Sequence, residues 1–209
     1  MRIGIIGAGM IGSTLGELWA KAGHEVMVSS RHPESLGDFV SRVGHGLRAG
    51  TAEEAAAFGE VVLLAIPFGA TPALPDAVKR SLSGKVVLDA GNPYPGRDGA
   101  AAIEARQEGR GSGHWTARHL PGARIVKAFN TVYFKTLAAQ AHQGMERVGI
   151  PLASDDARAV EVAAQAVRDA GFEPVPLGAL ERAREFDVGT PVYNTGMSGA
   201  ALRRHFGLG

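Results

Sequence analysis

Short apolar runs alternate with stretches of helical spacing along the 209 residues. Arg2–Ile6 and Glu25–Val28 are followed by a weaker run near Gly46–Ala49, then by Glu60–Ile66, Lys85–Ala90 and Arg124–Phe129. The last three are almost continuously apolar, the pattern of parallel strands covered on both faces. Between them, helical spacing runs to about Ala22 and again from Pro33 to about Val43, with Pro33 in the first turn, where its missing N–H costs nothing. Thr51 and Glu54 form a capping box ahead of an alanine-rich helix. A later helix is predicted over about Asp155–Ala170, with Val160, Ala163, Ala164 and Val167 on one face and Ser154 as N-cap. Two prolines place the strand Glu173–Pro176 at a sheet edge. Strand–helix alternation of this kind predicts an α/β fold with a doubly wound, mostly parallel sheet.

The first thirty-one residues carry the most specific chemistry. The opening strand runs into Gly7-Ala8-Gly9-Met10-Ile11-Gly12, a helix follows, and a second strand closes on Ser29-Ser30-Arg31. A glycine fingerprint in that βαβ setting marks an NAD(P)-binding Rossmann fold. Gly7 permits the tight turn, Gly9 lets the backbone approach a pyrophosphate, and Gly12 allows close helix–strand packing. The free N–H groups of the helix start hold the pyrophosphate. An NAD site places an acid at the end of the second strand, to accept from the ribose hydroxyls. Here that position offers Ser29, Ser30 and Arg31, with His32 beside them, and Glu34 comes only after Pro33. A guanidinium fork and serine hydroxyls suit a 2′-phosphate that a carboxylate would repel, so NADP(H) is the expected dinucleotide.

Function in such a sheet gathers at the carboxyl ends of the strands. The fourth strand closes on Ile66-Pro67-Phe68, where Pro67 and Phe68 are expected to wall the nicotinamide side. The fifth and sixth close on Asn92 and Asn130, whose amides can both donate and accept; an asparagine turn bonding its own backbone is the alternative for each. Two segments are not assigned to the sheet. Gly109–Gly122, with His114 and His119 around Trp115, reads as an irregular loop near the strand ends. Residues 187–209 read as a glycine-rich tail appended to a domain over 1–186, folding as a lid on the site or as a dimer contact.

Composition narrows the class. Apolar residues make up 45% of the chain, and the net charge of +1 with dispersed acids and bases gives no reason to expect nucleic acid or an anionic membrane as partner. With no cysteine, disulfides and thiolate catalysis are excluded, and no histidine–carboxylate spacing suggests a metal. A cytoplasmic location is expected, since the chain opens directly on a strand and carries no apolar run long enough to span a bilayer. A nicotinamide dinucleotide carries its own chemistry and asks the protein mainly for positioning, so no indispensable acid–base residue is expected. The catalytic candidates are Asn130 and the tail hydroxyls Thr190, Tyr193 and Thr195.

The fingerprint, Ser29-Ser30-Arg31, Ala65-Ile66-Pro67-Phe68, Asp89-Ala90-Gly91-Asn92-Pro93 and Lys127-Ala128-Phe129-Asn130-Thr131 stand in this order and spacing. Together they make the chain resemble the NADPH-dependent deazaflavin (coenzyme F-420) reductase family, and also the cytosolic NADPH module of metalloreductases. The resemblance runs from Met1 to about Leu180. It implies the 2′-phosphate at Ser30 and Arg31, the pyrophosphate on Gly7–Gly12, and the nicotinamide near Pro67 and Asn130. It further implies hydride transfer between NADPH and a deazaflavin or flavin as small-molecule acceptor, in a homodimer. A soluble flavin or ferric reductase, a non-enzymatic NADPH-sensing protein, and an imine or pyrroline-type carboxylate reductase, which shares the amino-terminal Rossmann pattern, are the alternatives; consumption of NADPH with a defined acceptor separates them.

Overall fold

The computed structural model describes residues 1–208, and among them eight strands form one sheet ordered β3-β2-β1-β4-β5-β6-β7-β8. The amino-terminal half comprises β1 (Arg2–Ile6), α1 (Met10–Lys21), β2 (Glu25–Ser29), α2 (Gly37–Val43), β3 (Arg48–Gly50), α3 (Ala52–Phe58), β4 (Val61–Leu64), α4 (Asp76–Leu82) and β5 (Val86–Asp89). It continues through α5 (Pro95–Gln107), broken at Gly99, then α6 (Ser112–His119), β6 (Arg124–Lys127), α7 (Phe134–Gln140), β7 (Gly149–Ala153), α8 (Ala157–Asp169), β8 (Glu173–Gly178) and α9 (Gly199–His205). Every paired neighbour is parallel except β6 and β7, which meet antiparallel at Lys127 and Ala153. The doubly wound sheet expected from the apolar runs is therefore present, and β8 is its edge.

Each face carries its own core. Ile3, Ile5, Val26 and Val28 point to the face covered by α1 and α8, where Trp19 lies fully buried and donates its indole N–H to the Ala166 carbonyl at 2.7 Å. Ile6, Val62, Leu64 and Val87 point to the other face, under α3 and α4. The predicted capping box forms: the Thr51 hydroxyl accepts from the Glu54 amide at 3.2 Å, and the Glu54 carboxylate accepts from the Thr51 amide at 2.7 Å. Pro33 opens a single 3₁₀ turn before α2 rather than the α-helix itself.

Three local expectations are corrected. The N-cap of α8 is Asp156, which accepts from the Ala159 amide at 3.0 Å; the Ser154 hydroxyl is turned inward and donates to the Ile125 carbonyl at 2.6 Å. The Gly109–Gly122 segment is not an irregular loop over the site. Its middle is α6, whose first residue, Ser112, is clamped through amide and hydroxyl by the Asp187 carboxylate at 2.7 and 2.6 Å. The sequence pattern assigned no strand to Gly149–Ala153, yet β7 is buried along its whole length. Within residues 187–208, Val192 and Leu202 join Val175, Leu177 and Phe186 in a further cluster, and Ser198 caps α9.

Candidate functional site

β1 lies between β2 and β4, so their carboxyl ends frame the crevice at which an open α/β sheet binds its ligands. The fingerprint turn fits its three tasks. Gly7 has φ +109°, and a Cβ there would sit 2.5 Å from the Ala65 carbonyl oxygen. A Cβ on Gly12 would fall 2.0 Å from the Gly7 oxygen, whereas one on Gly9 would meet nothing within 4 Å. Gly9 thus faces open space where a ligand can approach the backbone. No side chain caps α1 and its first turn has no acid, which leaves its N–H groups and dipole free for an anion.

Two cavities meet across this turn, sharing Gly9, Ala65, Ile66 and Pro67. The larger, of about 1080 Å³, extends toward Ser29, Ser30 and Arg31. Arg31 is exposed there and makes no ion pair among the described residues, so its guanidinium is available to a phosphate. Ser30 contributes a half-buried hydroxyl that already accepts from the His32 amide at 3.1 Å. Ser29 also lines the cavity; it is 2% exposed and its hydroxyl accepts from the Gly7 amide at 3.3 Å, so it braces the turn as well. The His32 side chain leans on Glu34 at 3.2 Å and does not line the cavity. One carboxylate, Glu53 of α3, does line it.

The smaller cavity, of about 360 Å³, lies over the ends of β4, β5 and β6. Met10, Ile11, Ile66 and Pro67 form its apolar side. Asn92 and Asn130 sit at its base, with the Asn92 amide donating to the Asn130 backbone carbonyl at 2.8 Å. Asn130 is 3% exposed and donates to the Phe186 carbonyl at 3.3 Å, but its own side-chain oxygen is buried without a partner. A buried acceptor left unpaired costs about 1–3 kcal/mol. The backbone pays for this placement as well: Phe129, just before Asn130, is held at φ +61°, a left-handed conformation costly for a bulky residue. Its ring is locked edge-on between Trp19 and Phe172, at 5.9 and 6.4 Å.

A buried ion pair supports the floor. Lys127 and Asp89, 0% and 1% exposed, meet at 3.0 Å; Asp89 also accepts from the Gly91 amide at 2.8 Å, and the Lys127 ammonium donates to the Gly91 carbonyl. Both groups thereby hold the bend that presents Asn92.

Phe68 does not wall this cavity. It is 1% exposed and stacks on Trp115 of α6 with ring centres 4.3 Å apart, so it supports Pro67 from behind. His119 packs on the same Trp115 and His114 also lies outside the cavity, so neither histidine borders the space where an acceptor would sit. From the tail, Tyr193 and Asn194 line the cavity, while Thr190 and Thr195 do not; the Thr195 hydroxyl donates to the Val192 carbonyl at 2.9 Å. Tyr94 and Arg97, at the start of α5, complete the rim and were missed from sequence. The Tyr94 and Tyr193 hydroxyls touch, joining the β5–α5 segment to the tail. Burial first, and then this contact, push the Tyr193 phenol well above its ordinary pKa, so it stays protonated through the neutral range. Among the described residues no group of three or more His, Asp or Glu could hold a metal, and no helix is long and apolar enough to cross a membrane.

Fold and site define a Rossmann-type NADP-dependent oxidoreductase. Residues 2–93 match the family described as NADP oxidoreductase coenzyme F420-dependent. The chain is 31% identical over 206 residues to the F420-dependent NADP reductase of Methanothermobacter thermautotrophicus, covering 92% of this chain and 87% of that one. The crystal structure of a hypothetical protein, SMa0349 from Sinorhizobium meliloti, superposes with a TM-score of 0.79 at 31% identity, covering 95% and 94% of the two chains. Rat metalloreductase STEAP3 is 28% identical over 190 residues, but this chain spans only 36% of its length. The chain belongs to the coenzyme F420-dependent NADP oxidoreductase family.

Proposed function

We propose that this protein transfers hydride between NADPH and a deazaflavin- or flavin-type ring seated in the smaller cavity. The observation that carries the reading is the pair of adjoining cavities that share Gly9, Ala65, Ile66 and Pro67, with an unpaired guanidinium bordering one and Asn130, whose buried amide oxygen lacks a partner, at the base of the other. Arg31 and Ser30 hold the 2′-phosphate, the α1 amides hold the pyrophosphate, and Asn130 with Asn92 orients the nicotinamide carboxamide. NADPH, when bound, supplies the hydride. The residues of this chain keep the nicotinamide flat against Ile66 and Pro67 and leave its other face open to the rim at Tyr133, Phe134 and Tyr193. The Tyr193 phenol, held protonated, is placed to donate a hydrogen bond to an acceptor oxygen or nitrogen. The tail acts as the lid on this ring, a role supported by Tyr193 and Asn194 at the cavity wall.

The reading includes a homodimer, as the family resemblance implies, and a cytoplasmic location; light scattering at twice 21.7 kDa would support the dimer and a monomer mass would remove it. The decisive experiment is NADPH oxidation tested separately with a deazaflavin, FMN, FAD and ferric chelates. Fastest turnover with the deazaflavin supports the reading. The likeness to the metalloreductase favours a flavin or ferric reductase as the second reading, and turnover confined to those acceptors would establish it instead.

A further inference from the structure

Among the described residues, Arg97 is the single charged side chain that lines the smaller cavity. Its geometry is prepared in advance. The guanidinium lies 4.8 Å from the centre of the Tyr94 ring, and Nη2 donates to the Asn92 carbonyl at 2.9 Å. Nε and Nη2 grip the neighbouring Asp98 carboxylate at 2.9–3.2 Å. That carboxylate is 1% exposed and also accepts from the Gly69 and Tyr94 amides, both at 3.0 Å. Asp98 is thus a clamp built into the wall and does not face the cavity. Arg97 Nη1 makes no hydrogen bond among the described residues, and the side chain remains 46% exposed at the mouth. Five contacts fix a cation in place and leave its second N–H₂ without a partner among the described residues.

The dinucleotide does not account for this group. Its pyrophosphate belongs on the Gly7–Gly12 turn and its 2′-phosphate at Arg31, both bordering the larger cavity, which Arg97 does not line. The cavity that Arg97 does line is otherwise apolar, aromatic or amide: Tyr94, Tyr133, Phe134 and Tyr193 offer flat faces to a ring. A guanidinium fixed at the edge of an aromatic wall suits an anionic oxygen group attached to a planar body.

We propose that Arg97 selects the electron acceptor, by binding a negatively charged phosphate or carboxylate carried on the substituent of its planar ring. The inference rests on the hydride-transfer reading and adds a charge requirement to it. FMN and riboflavin share one ring system and differ by a phosphate, so they are the probes. With NADPH as donor, kcat/KM for FMN should exceed that for riboflavin about tenfold at low ionic strength, the scale of a charge-assisted hydrogen bond. The ratio should fall toward one in Arg97→Gln and in high salt, which screens a half-exposed pair. Arg97→Lys, which keeps the charge without the fork, should retain part of it. A wild-type ratio near one, or a ratio unchanged in Arg97→Gln, overturns the proposal, as does an equal loss for both flavins, the mark of a purely structural residue. Equilibrium binding of the two flavins, read from their own fluorescence, applies the same ratio without turnover. A protein that prefers FMN in binding yet oxidises no NADPH refutes hydride transfer while leaving the Arg97 assignment standing.

Discussion

Replacing Arg31 by Ala isolates the group held to distinguish NADPH from NADH. Arg31 is exposed and carries no ion pair among the described residues, so its removal leaves no buried charge and disturbs no fold contact. The full value of a hydrogen bond to a charged group is about 1.5–3 kcal/mol. Exposure to solvent and salt places Arg31 at the lower end, near 1.5 kcal/mol, or about a tenfold rise in the NADPH dissociation constant. NADH lacks the phosphate, and its affinity should change by less than about twofold. Isothermal titration with both dinucleotides reads the two numbers directly, and the NADPH loss should shrink as salt is raised. Equal weakening of NADPH and NADH would refute the phosphate assignment. Ser30→Asp goes further, adding a charge that repels phosphate and an acceptor for ribose hydroxyls; preference should then move toward NADH.

The fingerprint glycines should separate folding from binding. Gly12→Ala drives a Cβ into the Gly7 oxygen and should lower stability by about 1–3 kcal/mol in urea unfolding, whereas Gly9→Ala, with free space around it, should unfold like wild type yet bind NADPH at least tenfold more weakly. Equal stability of the two variants would contradict that division. Lys127→Met strands the Asp89 carboxylate in the core and should cost about 3–5 kcal/mol, and a loss under 1 kcal/mol would show the pair to be dispensable. Asp98 gives a pH signature: although burial alone would raise its pKa, hydrogen bonds from Arg97 and the Gly69 and Tyr94 amides hold it below the usual carboxylate range. A folded-state pKa below the unfolded one, about 3.9, means its stabilisation is complete above that pH and disappears as pH falls further. The stability gap between wild type and Asp98→Asn should therefore be flat from about pH 5 upward and narrow below about pH 4; a gap that widens on acidification would reverse the sign.

The features legible in the sequence were those whose cause is local. Gly7, Gly9 and Gly12 sit between a strand and a helix, and the capping box at Thr51 and Glu54 needs only four consecutive residues. The runs at β4 and β5 are apolar because both faces are covered. Elements defined by distant partners were hidden. β7 begins on a glycine, contains Pro151, and pairs with β6 at a single register, so neither composition nor alternation marks it. α6 is glycine-flanked and looks like loop until Asp187, seventy-five residues away, caps its start. Phe68 was assigned to the cavity because its position follows the strand end; its side chain turns away because Trp115 offers it a stacked face. Tyr94 and Arg97 reach the rim through the Asp98 clamp, a network of contacts to Gly69 and Asn92 that carries no sequence spacing of its own.

The central claim is tested most directly with NADPH carrying deuterium on the transferable position of the nicotinamide. Mixed with oxidised deazaflavin and this protein in ordinary water, it should deliver the label to the ring of the reduced deazaflavin. The same reaction with unlabelled NADPH in heavy water should leave that ring position unlabelled. Label appearing from the solvent, or no NADPH consumed with deazaflavin, FMN, FAD or a ferric chelate, would contradict hydride transfer at this site.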